Sequence, residues 1–299
     1  MSRKGYSDAR VGDRAGQLAA LVGYRLRGPA TFARVKARSF QRARAALEAH
    51  RGSARGPGRL VDVGAGQWLA NAKGFAALGW NVLAVDPEIP PQSLVDVPPF
   101  VKAVGLQRAL KTAVGEVLLR RSFDAEFHAH TGLRIAHARV EVARTGSESL
   151  PLQPGSIDVV ISDNVFEHLK DVVGVIEELA RVLKPGALAF ITIHPFTALS
   201  GGHHPSTFHH GSQDRFVPAI PPWDHLREHR HPSGVYLNRW RAPRFRAAFE
   251  PHFETLTWES LREGEALLTP ALEAELGDYS RDELLTGKIV FVGRRRSAV

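Results

Sequence analysis

The 299-residue chain has no cysteine, one methionine and four tyrosines, and none of its apolar runs approaches the roughly 20 residues a membrane-crossing helix needs. Without cysteine there can be no disulfide framework, thiol nucleophile or thiolate metal site, so any metal would have to rest on histidines and carboxylates. The longest apolar stretches, such as Ala187 to Ile193, are strand-sized. The basic N-terminal stretch lacks the apolar core and cleavage site of a secretion signal, so a cytoplasmic protein without a membrane partner is expected. With 43% hydrophobic and 23% charged residues the composition is that of a globular chain, not a disordered or fibrous one.

Charge is plentiful but uneven. Residues 1–59 hold 14 Lys and Arg against Asp8, Asp13 and Glu48, and Arg294, Arg295 and Arg296 close the chain, so the stretch between is acidic although the whole carries +8. This pattern predicts a basic, mostly helical arm over 1–56 and a main domain over 57–299. Such an arm can hold phosphates, an anionic partner or the acidic body of its own chain. A solvated helical arm is the simplest of these, and nucleic acid is not the expected partner.

After Gly56-Pro57-Gly58, the run Leu60-Val61-Asp62-Val63 ends at Gly64-Ala65-Gly66, which reads as a buried strand entering a tight loop. Apolar or small residues at helical spacing from Trp68 to Leu78 stop at Gly79, and Asn81 to Asp86 supplies a second strand. Further along, Ile157 to Ser162 predicts a strand. A helix with Leu169, Val172, Val173, Ile176, Leu179 and Leu183 on one face follows it, halted by Lys184-Pro185-Gly186, and Ala187 to Ile193 is the next strand. A helix over 241–249 and strands over 253–259 and 288–292 complete the series. The sum is an α/β, Rossmann-like fold: a mostly parallel seven-stranded sheet with helices on both faces. Two long interruptions, about 90–137 and 195–240, are expected as lid-like insertions.

Asp86 falls 20 residues after Gly66 at the end of the second strand, where a carboxylate can accept both hydroxyls of a ribose. A dinucleotide site would favour glycine at position 69, which is Leu69. These residues resemble the class I S-adenosylmethionine-dependent methyltransferases. Leu60 to Gly66 is similar to their first motif and Val85-Asp86 to the second. Ser149 to Val160 resembles the approach to their fourth strand, Asn164-Val165-Phe166-Glu167-His168-Leu169 the start of the next helix, and Arg181 to Ala187 the turn into strand five. The resemblance implies S-adenosylmethionine as cofactor, with Asp62, Gly64, Gly66, Asp86, Ser147 and Asp163 around it. Ser147 is included because Gly146 stands where an acid usually meets the adenine amino group. Trp68 takes the place of a further glycine of the first motif.

Methyl transfer needs positioning and, for a hydroxyl or protonated amine, a base. His168 and His194, each just beyond a strand end, and Glu167 are the candidate catalytic residues. Eight of the 14 histidines lie between His194 and His231. A related subgroup of methyltransferases holds a divalent ion with Glu-x-x-Glu-His and a later His. Here the first Glu is Asn164, and the adjacent pairs His203-His204 and His209-His210 point apart, so no metal is expected. The expected function is methyl transfer to an O or N atom of a small-molecule acceptor. An RNA or protein methyltransferase using the basic arm, or a nucleotide-binding protein of another activity on the same fold, are the alternatives.

Overall fold

The run Leu60 to Val63 is apolar except at Asp62, and it forms β1 (Arg59–Val63), buried from Leu60 to the strand's end. A strand covered on both faces reads as such a continuous apolar run. β1 lies between β2 (Asn81–Val85) and β4 (Ile157–Asp163), parallel to both, with Leu60 opposite Val82 on one side and Val159 on the other. β3 (Glu141–Ala143) adds to β2, again parallel. With β5 (Leu183–Ile193), β6 (Phe253–Arg262) and β7 (Thr286–Arg295), the strands follow the order β3-β2-β1-β4-β5-β7-β6 in one sheet. This is the expected mostly parallel α/β architecture.

This computed structural model describes residues 28–91, 96–204, 207 and 219–297. Residues 1–27 of the expected arm lie outside the described residues, as do 92–95 of the first expected insertion and 205–206 and 208–218 of the second, including His209 and His210. Among the described residues no helix is long and apolar enough to cross a membrane. The described residues fall into two compact units, the first drawn from those within 28–163, 177–190 and 294–297, the second from those within 164–176 and 191–293.

In the first unit, the arm contributes α1 (Gly28–Arg51), which buries Ala33, Ala37, Phe40, Ala43 and Leu47 along one face, at the i, i+3, i+4 spacing of an amphipathic helix. It lies along α4 (Leu106–Thr131), with Phe40 and Phe127 in ring contact at 5.6 Å, Arg34 paired to Glu126, and Gln41 Nε2 donating to the His130 carbonyl at 2.6 Å. Phe40 also covers Gly74 of α2 (Ala70–Ala77), where an added Cβ would come within 2.5 Å of the ring. The helical part of the 90–137 stretch is α3 (Val97–Val104) followed by α4.

The second unit carries α6 (Ala242–Phe249), α7 (Pro270–Glu275) and α8 (Arg281–Leu285). Its core joins Leu199, Trp223, Leu268, Leu276, Leu284 and Leu285, and Phe249 stacks on Phe291 at 4.2 Å. The helix after β4, α5 (Val172–Val182), passes directly into β5. Lys184-Pro185-Gly186 therefore lies inside β5 and not between a helix and a strand beginning at Ala187. The three residues are exposed at the strand's start, and Gly186 takes a positive φ of 79°, so a stretch that reads as a breaker is accommodated at a solvated strand end.

Candidate active site

The loop after β1 is held by backbone bonds. The Gly64 N–H donates to the Val85 carbonyl at 2.7 Å and the Ala65 N–H to the same oxygen at 3.3 Å, tying the loop to the end of β2. Gly64 and Gly66 have φ of 70° and 65°, a region open to glycine at little cost. A Cβ at Gly66 would meet nothing within 4 Å, so the backbone conformation requires this glycine and the space above the loop is open. Asp86 accepts from the Gly66 N–H through Oδ2 at 3.1 Å and from the Glu88 N–H through Oδ1 at 2.7 Å. A carboxylate has about four lone-pair sites. Each oxygen thus keeps one for a ribose hydroxyl.

Asp62 is 1% exposed and accepts from the Ala72 N–H at 3.0 Å, bracing α2 against β1. Burial pushes its carboxyl up to about 7, opposed by the Lys36 cation and reinforced by Asp163 and Asp86. Asp163, buried at the end of β4, is paired with Lys36 of α1 at 3.1 Å. Asp62 is therefore in electrostatic contact with Asp163, Asp86 and Lys36, and Lys36 is itself paired with Asp163. Lys36 escaped the sequence reading because it stands 127 positions before Asp163 on a helix with no motif of its own.

Trp68 turns to α4. Its ring stacks on Phe123 at 4.6 Å, and Arg120 donates to the Trp68 carbonyl at 2.8 Å and lies over the ring. Leu69, at the position where a dinucleotide loop would favour glycine, has φ 53° and ψ 34° with its side chain fully buried. Ser147 is buried in the turn after β3. The neighbouring Arg144 anchors that turn through the carbonyls of Ile89 and Pro90, both at 2.9 Å, and the carboxylate of Asp96.

In the second unit, Phe166–His168 form a single 3-10 turn and not the start of α5. Asn238 clamps this turn: its side-chain amide donates to the carbonyls of Phe166 and Leu169 at 2.7 and 3.1 Å, and its N–H to the Glu167 carbonyl at 2.9 Å. Asn164 adopts φ 57°, tolerable for asparagine, and its Oδ1 accepts from the Thr192 hydroxyl at 3.1 Å. Glu167 is 2% exposed. His168 Nδ1 lies 3.0 Å from the Tyr236 carbonyl, so Nδ1 carries the proton and Nε2 the lone pair. Burial holds this ring below its usual pKa, the carbonyl acting in the opposite direction.

His194 is buried, its Nε2 2.8 Å from Ser200 Oγ, which donates to Glu263 at 2.8 Å. The single serine proton is thus committed to Glu263, so His194 donates from Nε2 and keeps its lone pair on Nδ1. Burial depresses His194 well below its usual pKa, and it brings His203 to about 3 and His225 to about 4. The His203 ring lies 4.8 Å from both the His168 and His194 rings. Beside these groups Phe196, Gly202, His229, Tyr236, Leu237 and Arg239 line a cavity of about 370 Å³.

A family model described as a methyltransferase domain matches residues 106–191. That stretch begins in α4 and leaves the loop at 62–66 outside the match. An uncharacterized methyltransferase of Mycobacteroides abscessus is 30% identical over 112 residues, 38% of this chain and 40% of the relative. A probable S-adenosylmethionine-dependent methyltransferase of Mycobacterium tuberculosis is 34% identical over 83 residues, 28% of this chain and 30% of the relative. The matched segments thus span less than half the length of these relatives. Among solved structures, an S-adenosylmethionine-dependent methyltransferase from Mesorhizobium loti aligns with a TM-score of 0.46 at 15% identity, covering 83% of this chain and 96% of the other.

Proposed function

We propose that this chain, a member of the class I S-adenosylmethionine-dependent methyltransferase superfamily, transfers a methyl group to an O or N atom of a small-molecule acceptor. The observation that carries the reading is the set of Gly64, Gly66, Asp62, Asp86 and Asp163 at the ends of β1, β2 and β4, with Lys36 of α1 paired to Asp163. It fits the cofactor: open space above a glycine backbone, a carboxylate with free lone pairs for a ribose diol, and an acidic surround for a ligand whose net charge is positive.

Asp86 would hold the ribose, and Ser147 would lie toward the adenine. Asp62 and Asp163 would face the positive end. When bound, S-adenosylmethionine supplies a sulfonium methyl carbon, which the acceptor's lone pair takes in an in-line displacement that leaves S-adenosylhomocysteine. On the acceptor side the work falls to Glu167, His168 and His194. His168 is neutral at physiological pH with its lone pair on Nε2, the form able to draw a proton from an acceptor hydroxyl. His194 has Nε2 committed to Ser200 and would act through Nδ1 or by positioning its neighbours.

A small acceptor is favoured by the size of the cavity beside Phe196 and Tyr236, within the range of small-molecule sites. The described part of the arm spends charge on its own unit, through Arg34 on Glu126, Lys36 on Asp163 and Arg51 over the Trp80 ring. The test is incubation with methyl-labelled S-adenosylmethionine and a cell-extract metabolite fraction, with and without nuclease. Nuclease-resistant label in small molecules supports the reading, and label confined to RNA or protein refutes it.

A further inference from the structure

We propose that Glu167, His168 and His203 form a binding site for one divalent zinc or transition-metal ion. Each side chain offers a ligand atom, and the three atoms lie within 4.8 Å of one another. An ion with bonds of about 2.1 Å holds tetrahedral ligands about 3.4 Å apart, so rotations that shorten the longest separation by up to about 1.4 Å close the site. Two imidazoles and one carboxylate make a mixed nitrogen and oxygen set, suited to zinc, manganese or cobalt more than to magnesium or calcium, which favour oxygen alone.

The surroundings prepare these atoms. The Tyr236 carbonyl accepts a hydrogen bond from the Nδ1–H of His168 and leaves Nε2, 4.0 Å from the Glu167 carboxylate, as the ligating atom. Metal-bound histidines characteristically donate their second ring nitrogen in this way. Asn238 fixes the turn that carries both residues through its three backbone contacts. His203 has φ 56°, a strained conformation for a residue with a Cβ, and its N–H donates to the Ser200 carbonyl at 2.9 Å. Ser200 is in turn fastened to Glu263 by both its N–H and its hydroxyl, at 3.0 and 2.8 Å. Adjacent histidines do diverge, since the His204 ring pairs with His231 at 6.0 Å. The site needs only the first of that pair. It also makes no use of Asn164, whose side chain is bonded to Thr192.

Three protein donors leave coordination positions open, as in catalytic rather than structural sites. The inference rests on the methyl-transfer reading and deepens it in one respect: an ion here would hold an acceptor oxygen and lower its pKa so that its proton passes to solvent water, with Glu167 and His168 as ligands in place of the base role His168 would have without metal.

The test uses the full chain, stripped with a chelator and titrated with cobalt(II) and zinc(II) in metal-free buffer. One equivalent of zinc by elemental analysis and visible d–d absorption of the cobalt form are expected. His203→Ala and Glu167→Gln should weaken uptake at least about tenfold, while His252→Ala leaves it unchanged. Melting of the metal-free variants checks that they fold. If His203→Ala does not, X-ray absorption of the wild-type zinc form decides, two imidazoles with oxygen donors being expected. The proposal is overturned by no stoichiometric uptake, by unchanged uptake in His203→Ala, or by fewer than two imidazoles on the zinc. Methyl transfer is read separately on chelated and reloaded protein: transfer without metal uptake refutes only the metal site, and uptake without transfer refutes only the methyltransferase reading.

Discussion

If Asp62 lies beside the cofactor as proposed, binding should be coupled to its proton. Burial raises its carboxyl from 3.8 to about 7, so between these values the folded protein holds a proton that the unfolded chain has released. The sign follows from linkage: this group favours the folded state on the acid side, and that stability is lost as pH rises through 7. From pH 6 to pH 8 the loss integrates to about 1.4 kcal/mol. A cationic ligand placed beside Asp62 favours the ionised form, so binding should release the proton. Affinity for S-adenosylmethionine should then be about tenfold tighter at pH 8 than at pH 6, the same 1.4 kcal/mol seen from the other side. Asp62→Asn keeps an oxygen to accept from the Ala72 N–H and removes the titration. The variant should lose both pH dependences while binding more weakly at pH 8. Calorimetry in two buffers of different ionisation enthalpy counts the proton, and urea denaturation of the free protein at both pH values reads the stability arm. The reasoning is refuted if wild-type affinity is flat across this range, or if Asp62→Asn retains the slope.

Asp86→Ala removes the proposed ribose acceptor and should weaken S-adenosylmethionine by about 1.5–3 kcal/mol, read by calorimetry. Gly74→Ala gains about 1 kcal/mol in helix propensity but drives a methyl into the buried Phe40 ring; overpacking of about 1–3 kcal/mol should win, lowering the melting temperature, and Phe40→Leu should restore it. Filter binding of tRNA and duplex DNA at physiological salt should show weak, salt-sensitive association; a complex that survives added salt and is lost on deleting residues 1–50 would favour the RNA reading. His168→Ala should leave cofactor affinity nearly intact and lower turnover of an identified acceptor; wild-type turnover would remove His168 from the chemistry.

The first βαβ unit was legible because its signals are local: an uninterrupted apolar run, glycines at the turn, and a carboxylate at a fixed interval. Residues 183–186 were misread because a Pro-Gly pair signals a break whether it lies in a turn or at the solvated start of a strand. α7 and α8, six and five residues long, are too short for periodicity to reveal. Their caps are visible all the same, Thr269 before Pro270 and the Ser280 and Glu283 capping box. The contacts of Lys36 and Asn238 could not be found by pattern, since the residues they reach lie far away in sequence. The histidine-rich segment was legible in composition and opaque in geometry. Only the fold decides that His203 turns toward Glu167 and His168 while His204 turns to His231.

Calorimetric titration of the full chain with S-adenosylmethionine, S-adenosylhomocysteine and a nicotinamide dinucleotide bears most directly on the assignment of the β1 loop and Asp86 as a cofactor site. One equivalent each of S-adenosylmethionine and S-adenosylhomocysteine should bind, with the dinucleotide giving no heat. Binding of the dinucleotide with no response to either sulfur ligand would contradict the account.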